Sequence, residues 1–152
     1  MTPTQPKVLN ILLADDDNDD RYFFAKALNQ LPVAHTLQTV ADGDELMTWL
    51  SKHSTQLPDV LFLDLNMPCK NGRECLEEIK QHEKLKFIPV VIYSTALSDE
   101  SADLLYQIGA HYYLHKCDFS ELHKAIQQVL NLLTKSPAQP ARTEFVFSMQ
   151  EA

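Results

Sequence analysis

The chain has 152 residues, with 21 acidic against 13 basic side chains and a formal net charge of -8. That length suits one domain with a full core and leaves little for a second. Basic residues scattered among excess acids exclude a nucleic-acid surface, which needs Lys and Arg clustered on a face. No apolar stretch approaches the ~20 residues that span a bilayer, and Met1 to Pro6 lacks the basic and apolar regions of a signal peptide, so a cytoplasmic location is expected.

Val8 to Ala14 reads as a first strand that runs into Asp15-Asp16-Asp17. The helix after it carries Phe24, Ala27, Leu28 and Leu31 at the i, i+3, i+4, i+7 spacing of one apolar face, and Pro32 ends it. His35 to Val40 is a weaker strand, followed by Asp42-Gly43-Asp44 and a helix with Leu46, Trp49 and Leu50 on one side. The run Asp59 to Asp64, bounded by Pro58 and Pro68, has the length and apolarity of a strand covered on both faces.

Asn71-Gly72 open a third helix with Cys75, Leu76 and Ile79 inward, and Ile88 to Tyr93 forms a fourth strand leading to Ser94-Thr95. Ser98, followed three residues later by Ser101 instead of Glu, caps a fourth helix without a capping box. Ala110 to His115 reads as a fifth strand ending at Lys116. Leu122, Ala125, Ile126, Val129, Leu130 and Leu133 then keep helical spacing in the last helix. The strand-helix alternation implies an α/β fold, a doubly wound parallel sheet with helices on both faces and right-handed crossovers.

In such a sheet the reactive edge lies beyond the carboxyl ends of the strands. Asp15, Asp16 and Asp64 would meet there on neighbouring strands about 4.8 Å apart. Three carboxylates that close repel one another unless a cation joins them, and hard oxygen ligands favour Mg²⁺. Ser94 and Lys116, carried by the fourth and fifth strands, supply the hydroxyl donor and the point positive charge that phosphoryl oxygens need.

The pieces Ile11 to Asp17, Leu61 to Pro68, Pro89 to Thr95 and Gly109 to Lys116, in that order, resemble the receiver domain of two-component response regulators, here the stand-alone chemotaxis-regulator-like kind. The resemblance covers about residues 7–134, leaving 135–152 as a linker and tail. It implies a flavodoxin-like (βα)5 fold with strand order 2-1-3-4-5. It implies that Asp64 accepts a phosphoryl group from a histidine kinase or a histidine phosphotransfer protein. It further implies that Mg²⁺ is held by Asp15, Asp16, Asp64 and the backbone carbonyl of Asn66, that Ser94 donates to the phosphoryl group, and that Lys116 neutralises it. Tyr113 matches the aromatic position that moves inward on activation. The chain would then be a signalling switch acting on a downstream protein, with no enzymatic activity beyond its own phosphorylation and dephosphorylation.

Cys117 departs from the proline that usually follows the lysine. A cis bond without proline costs about 2.5–4 kcal/mol, so a trans turn is expected. Asp19 and Asp20 read as added surface acidity, and Asp17 and Asp19 as helix-start acids. Cys69, Cys75 and Cys117 form no CxxC pair and read as free thiols. Taken alone, the acidic turn from Asp15 to Asp20 would be a solvated turn. It is no EF-hand, since its sixth position is Asp20 instead of Gly and its twelfth Lys26 instead of Glu. His111 and His115 share a strand face, a weaker metal pairing than a structural one.

Two other classes compete. Asp64-Leu65-Asn66 resembles the signature of aspartate-nucleophile phosphatases of the haloacid dehalogenase type, but that nucleophile lies on a first strand and Asn66 cannot act as the acid. A flavodoxin-like FMN binder would put carboxylates where a phosphate should sit. Beyond Lys135, residues 136–142 with their prolines are expected to be mobile, whereas Phe145, Val146, Phe147 and Met149 should dock on the receiver or on a second copy as a homodimer.

Overall fold

The computed structural model describes residues 8–95 and 97–148. Five parallel strands, β1 (Leu9–Ala14), β2 (His35–Val40), β3 (Val60–Leu63), β4 (Val90–Ser94) and β5 (Tyr112–His115), form one sheet in the order β2-β1-β3-β4-β5. The expected fold class and strand order are both borne out. Between the strands run α1 (Asn18–Leu28), α2 (Gly43–Lys52), α3 (Gly72–Gln81) and α4 (Asp99–Ile108), and α5 (Phe119–Lys135) follows the last strand.

Strand periodicity sorts the core into two layers. Leu12, Ala14, Leu61, Leu63, Val90, Ile92 and Tyr113 point to the face covered by α2, α3 and α4, where Leu46, Leu50, Leu76, Ile79 and Leu105 meet them. Ile11, Leu13, Phe62, Val91, Tyr93 and Leu114 point to the other face, against Phe24 and Leu28 of α1 and Ile126, Val129 and Leu130 of α5. Burial on both sides is why β3 and β4 read as unbroken apolar runs.

Several boundaries differ from the sequence reading for identifiable reasons. The ladder of β4 starts at Val90, because the Ile88 amide is spent on the Leu85 carbonyl and Pro89 has no N–H to give. β5 starts at Tyr112, since Ala110 donates back to Leu105 in the cap of α4, where Gly109 takes φ 127. α1 stops at Leu28, and tight turns from Gln30 to Ala27 and from Leu31 to Leu28 still bury Leu31. The capping box at Asn71 and Glu74, and the Ser98 cap without one, are both present.

The segment after α5 corrects the expectation of mobility for residues 136–142. The His111 ring donates to the Pro137 carbonyl at 3.0 Å, and the Gln139 amide donates to the carbonyls of Tyr106 and Ala110, both at 2.8 Å. The Tyr106 hydroxyl donates to the Pro140 carbonyl at 2.6 Å, and Arg142 pairs with Asp103 at 2.8 Å. Proline carbonyls remain free acceptors in a chain that builds no ladder of its own, and here α4 and the start of β5 supply the donors. Phe145 is fully buried in the α2–α4 layer. Its carbonyl accepts from the Tyr113 amide at 2.9 Å, and the Phe147 amide donates to the Tyr113 carbonyl at 2.8 Å. The apolar patch therefore docks on this chain's own β5 edge, as a single parallel bridge. Met149 lies outside the described residues.

Candidate functional site

The loops beyond β1, β3, β4 and β5 converge on one acidic pocket. Asp64 follows β3, its amide tied to the Ala14 carbonyl at 2.9 Å, and it is only 4% exposed. Asp15 is fully buried after β1, with one carboxylate oxygen accepting from the Asp17 amide at 3.0 Å. Asp16 stands exposed at the rim. The carboxylate oxygens of Asp15, Asp16 and Asp64 lie within 4.8 Å of one another. Among the described residues this is the one group of His, Cys, Asp and Glu placed to hold a metal ion.

Lys116 closes the pocket. Its amide donates to the Ser94 carbonyl at 2.9 Å, which sets the direction of the side chain. Its ammonium lies 2.9 Å from Asp15, 2.8 Å from Asp20 and 3.5 Å from Asp64, and 5.3 Å from the centre of the Tyr93 ring. Ser94 is fully buried and its hydroxyl has no partner. A buried hydroxyl left unpaired costs about 1–3 kcal/mol, which marks a position awaiting an acceptor. Gly72, the first residue of α3, sits so close beneath the site that a Cβ there would come within 2.2 Å of the Asp64 carbonyl oxygen. The helix start thus packs directly on the backbone of Asp64 and Leu65.

Electrostatics follow from this crowding. Burial raises the Asp64 carboxyl to about 6, with the Asp15 charge adding to the rise and Lys116 and the Asn66 amide opposing it. Lys116 is pushed down by burial, but its hydrogen bonds to Asp20 and Asp15 and the charges of Asp15 and Asp64 outweigh that and move it up. A hard divalent cation suits a pocket of three carboxylates held together against their own repulsion.

Asp15, Asp16, Asp64 and Lys116 are brought together as their sequence positions suggest, and Ser94 stands at the end of β4 with its carbonyl bonded to the Lys116 amide. Tyr113 is already inside, 3% exposed, with its hydroxyl donating to the Ser94 carbonyl at 3.2 Å. Asn66 donates its amide to Asp64 at 3.3 Å. Asp20, read from sequence as surface acidity, corrects that reading: it makes the shortest of the lysine's three ion pairs. It lies in the first turn of α1 at the pocket rim, and its contact bridges 96 positions of sequence, so no local pattern could have found it. Asp17 caps α1, accepting from the amides of Asp19 and Asp20. His111 is buried against Pro137 while His115 is exposed, which ends their reading as a metal pair. Cys117 is exposed, and partial desolvation with the nearby acids Asp118 and Glu121 pushes its thiol up, away from reactivity. Among the described residues every peptide bond is trans, that of Lys116 and Cys117 included.

A parallel sheet of this order, with an acidic triad after β1 and β3 and a lysine after β5, defines a receiver. The sequence profile of the response regulator receiver domain matches residues 11–127, and the chain belongs to that family. Receiver domains take phosphoryl groups from histidine kinases and bind Mg²⁺ at an acidic site.

Response regulator Rcp1 of Synechocystis sp. is 33% identical over 141 residues, which are 90% of this chain and 95% of that protein. The probable methanogenesis regulatory protein FilR2 of Methanothrix harundinacea is 30% identical over 123 residues, 78% of this chain and 79% of its own. The crystal structure of the Mn²⁺-bound form of Rcp1 is similar with a TM-score of 0.74 at 31% identity, covering 88% of this chain and 99% of that one. The phosphorylated cyanobacterial phytochrome response regulator RcpA reaches a TM-score of 0.75 at 33% identity, covering 87% and 97%. The chain is thus a response regulator receiver, similar over most of its length to Rcp1. Among the described residues no helix is long and apolar enough to cross a membrane.

Proposed function

We propose that this chain is a response regulator whose phospho-acceptor is Asp64, with residues 7–134 as the receiver and 135–152 as an accessory segment. The phosphoryl group comes from a histidine kinase or a histidine phosphotransfer protein and alters binding to a downstream protein. The observation that carries this reading is a buried Asp64 with a lysine ammonium 3.5 Å from its carboxylate, beside a buried, unpaired Ser94 hydroxyl at the end of β4.

Mg²⁺ fits the three carboxylates of Asp15, Asp16 and Asp64, with the Asn66 carbonyl as the further ligand the family resemblance implies, and when bound it would offset repulsion between the carboxylates and the incoming phosphoryl oxygens. An Asp64 oxygen forms the new P–O bond as the donor's P–N bond breaks. Lys116 turns toward the added charge of about -1.5 to -2, and the Ser94 hydroxyl donates its hydrogen to a phosphoryl oxygen. Tyr113, bonded to the Ser94 carbonyl, links that movement to β5 and α4. Docking of Phe145 on its own β5 edge means this reading needs no second copy.

Incubation with acetyl phosphate and Mg²⁺ should add one phosphoryl group to the wild-type chain and none to Asp64→Asn, read by intact-protein mass. Undiminished labelling of the variant refutes the acceptor assignment.

A further inference from the structure

β5 is an edge strand, and such an edge offers unpaired backbone groups to any extended chain. Here the occupant is residues 136–147, a strap that reaches the edge at one residue, Tyr113. The strap takes the Tyr113 amide at 2.9 Å and its carbonyl at 2.8 Å. The hydroxyl of the same tyrosine donates to the Ser94 carbonyl at 3.2 Å. That carbonyl also accepts from the Lys116 amide at 2.9 Å. A continuous chain of hydrogen bonds thus runs from Phe145 through Tyr113 to Ser94, at the end of β4, and Lys116, just beyond β5.

The strap is held without being locked. Phe145 is its one fully buried anchor, while Val146 is 45% exposed and residues 136–139 are all exposed. A segment with one anchor and a few hydrogen bonds opens far more easily than the core strands. When it opens, the Tyr113 backbone loses both partners and the Tyr106 ring on α4 loses the Phe145 ring 5.6 Å from it. The hydroxyl that fixes the Ser94 carbonyl is then free to leave.

We propose that the strap is a positioning element for the phosphorylation site: by pinning Tyr113 it holds the end of β4, where Ser94 stands with its hydroxyl unpaired, so strap docking and phosphoryl binding reinforce each other. This rests on the reading of Asp64 and Ser94 given above. The sign follows from preorganisation, because a donor already held in place loses less freedom when its acceptor arrives. Linkage makes the effect mutual, so a phosphoryl mimic must also tighten the strap.

Full-length wild type, Phe145→Ala and Tyr113→Phe are titrated with beryllofluoride at saturating Mg²⁺ by calorimetry, and amide exchange is followed at Phe147. Phe145→Ala should bind the mimic at least about 5-fold more weakly, the low end of ordinary allosteric coupling. In the wild type the mimic should raise protection of the Phe147 amide by a similar factor. Tyr113→Phe keeps the ring and the backbone pairing but removes the hydroxyl link. It should weaken binding of the mimic while leaving Phe147 protected in its absence. A merely structural strap would produce neither that separation nor the reciprocal protection. If Phe145→Ala does not fold, the tyrosine variant and the Phe147 amide decide the matter. Wild-type binding that depends on Asp64, with unchanged affinity in the folded variants and unchanged protection at Phe147, overturns the strap proposal alone. Equal binding by Asp64→Asn overturns the site reading and the coupling with it.

Discussion

Gly72→Ala probes the contact between α3 and the acceptor loop. An alanine Cβ would stand 2.2 Å from the Asp64 carbonyl oxygen, 2.8 Å from the Leu65 Cα and 2.9 Å from the Asp64 carbonyl carbon. Comfortable separations between such atoms begin at about 3.5 Å, so helix and loop must part by roughly 1 Å. All three atoms are backbone, and none can swing aside as a side chain would. Overpacking of this kind costs about 1–3 kcal/mol, against which alanine's better helix propensity returns at most about 1 kcal/mol. The larger effect should be chemical, since a displacement of about 1 Å at a reacting group can cost on the order of 100-fold in rate.

The companion is Gly109→Ala. Its φ of 127 is poorly tolerated by a residue with a Cβ, but the nearest atoms, at 3.2 Å, belong to the flexible Lys80 side chain, away from the pocket. It should lose about 1–2 kcal/mol of stability. Urea unfolding of the two variants and the initial rate of labelling by acetyl phosphate separate the effects. Both should be destabilised, and only Gly72→Ala should be labelled some 100-fold more slowly. Wild-type labelling by a folded Gly72→Ala chain would refute the claim that the helix start sets the position of Asp64.

Three acids at the rim should separate by role: Asp16→Ala loses Mg²⁺ binding and labelling, whereas Asp19→Ala, on the exposed start of α1, changes neither in a metal titration. Asp20→Asn keeps the metal triad but removes the lysine's shortest ion pair, so Lys116 should stay with the phosphoryl group and slow its loss, measured as phosphoryl lifetime. His111 is lowered to about 4 by burial and by the nearby charge of Lys80, against an ordinary value of 6.5. Its Nε2–H is given to Pro137 and its Nδ1 is buried without a partner, so a second proton would have nothing to bond. Between pH 6.5 and about 4 the unfolded chain therefore binds the extra proton: stability is full above this window and falls by up to about 3 kcal/mol as pH drops through it. His111→Gln should remove that share of the acid-induced loss in urea melts run across the window.

The parallel sheet and its acidic edge were legible because they rest on patterns that survive without a third dimension, while the strand order followed from the family resemblance. Apolar runs of strand length ended at Asp15, Asp64 and Ser94, and helical spacing marked the connecting faces, so the winding rule delivered those side chains to one edge. Asp20 was not legible in this way. Its role depends on Lys116 swinging back across the pocket to the first turn of α1, a contact with no local pattern behind it. The tail divided along the same line. The apolarity of Phe145 signalled that it must be covered, but composition alone made residues 136–142 look mobile. Only the folded edge of β5, with an open backbone pair at Tyr113, donors at His111 and Tyr106 and acceptor carbonyls at Tyr106 and Ala110, decided where the tail lies. Sequence periodicity shows which side chains must leave water. Which surface receives them is settled by donors, acceptors and cavities that exist only once the sheet has formed.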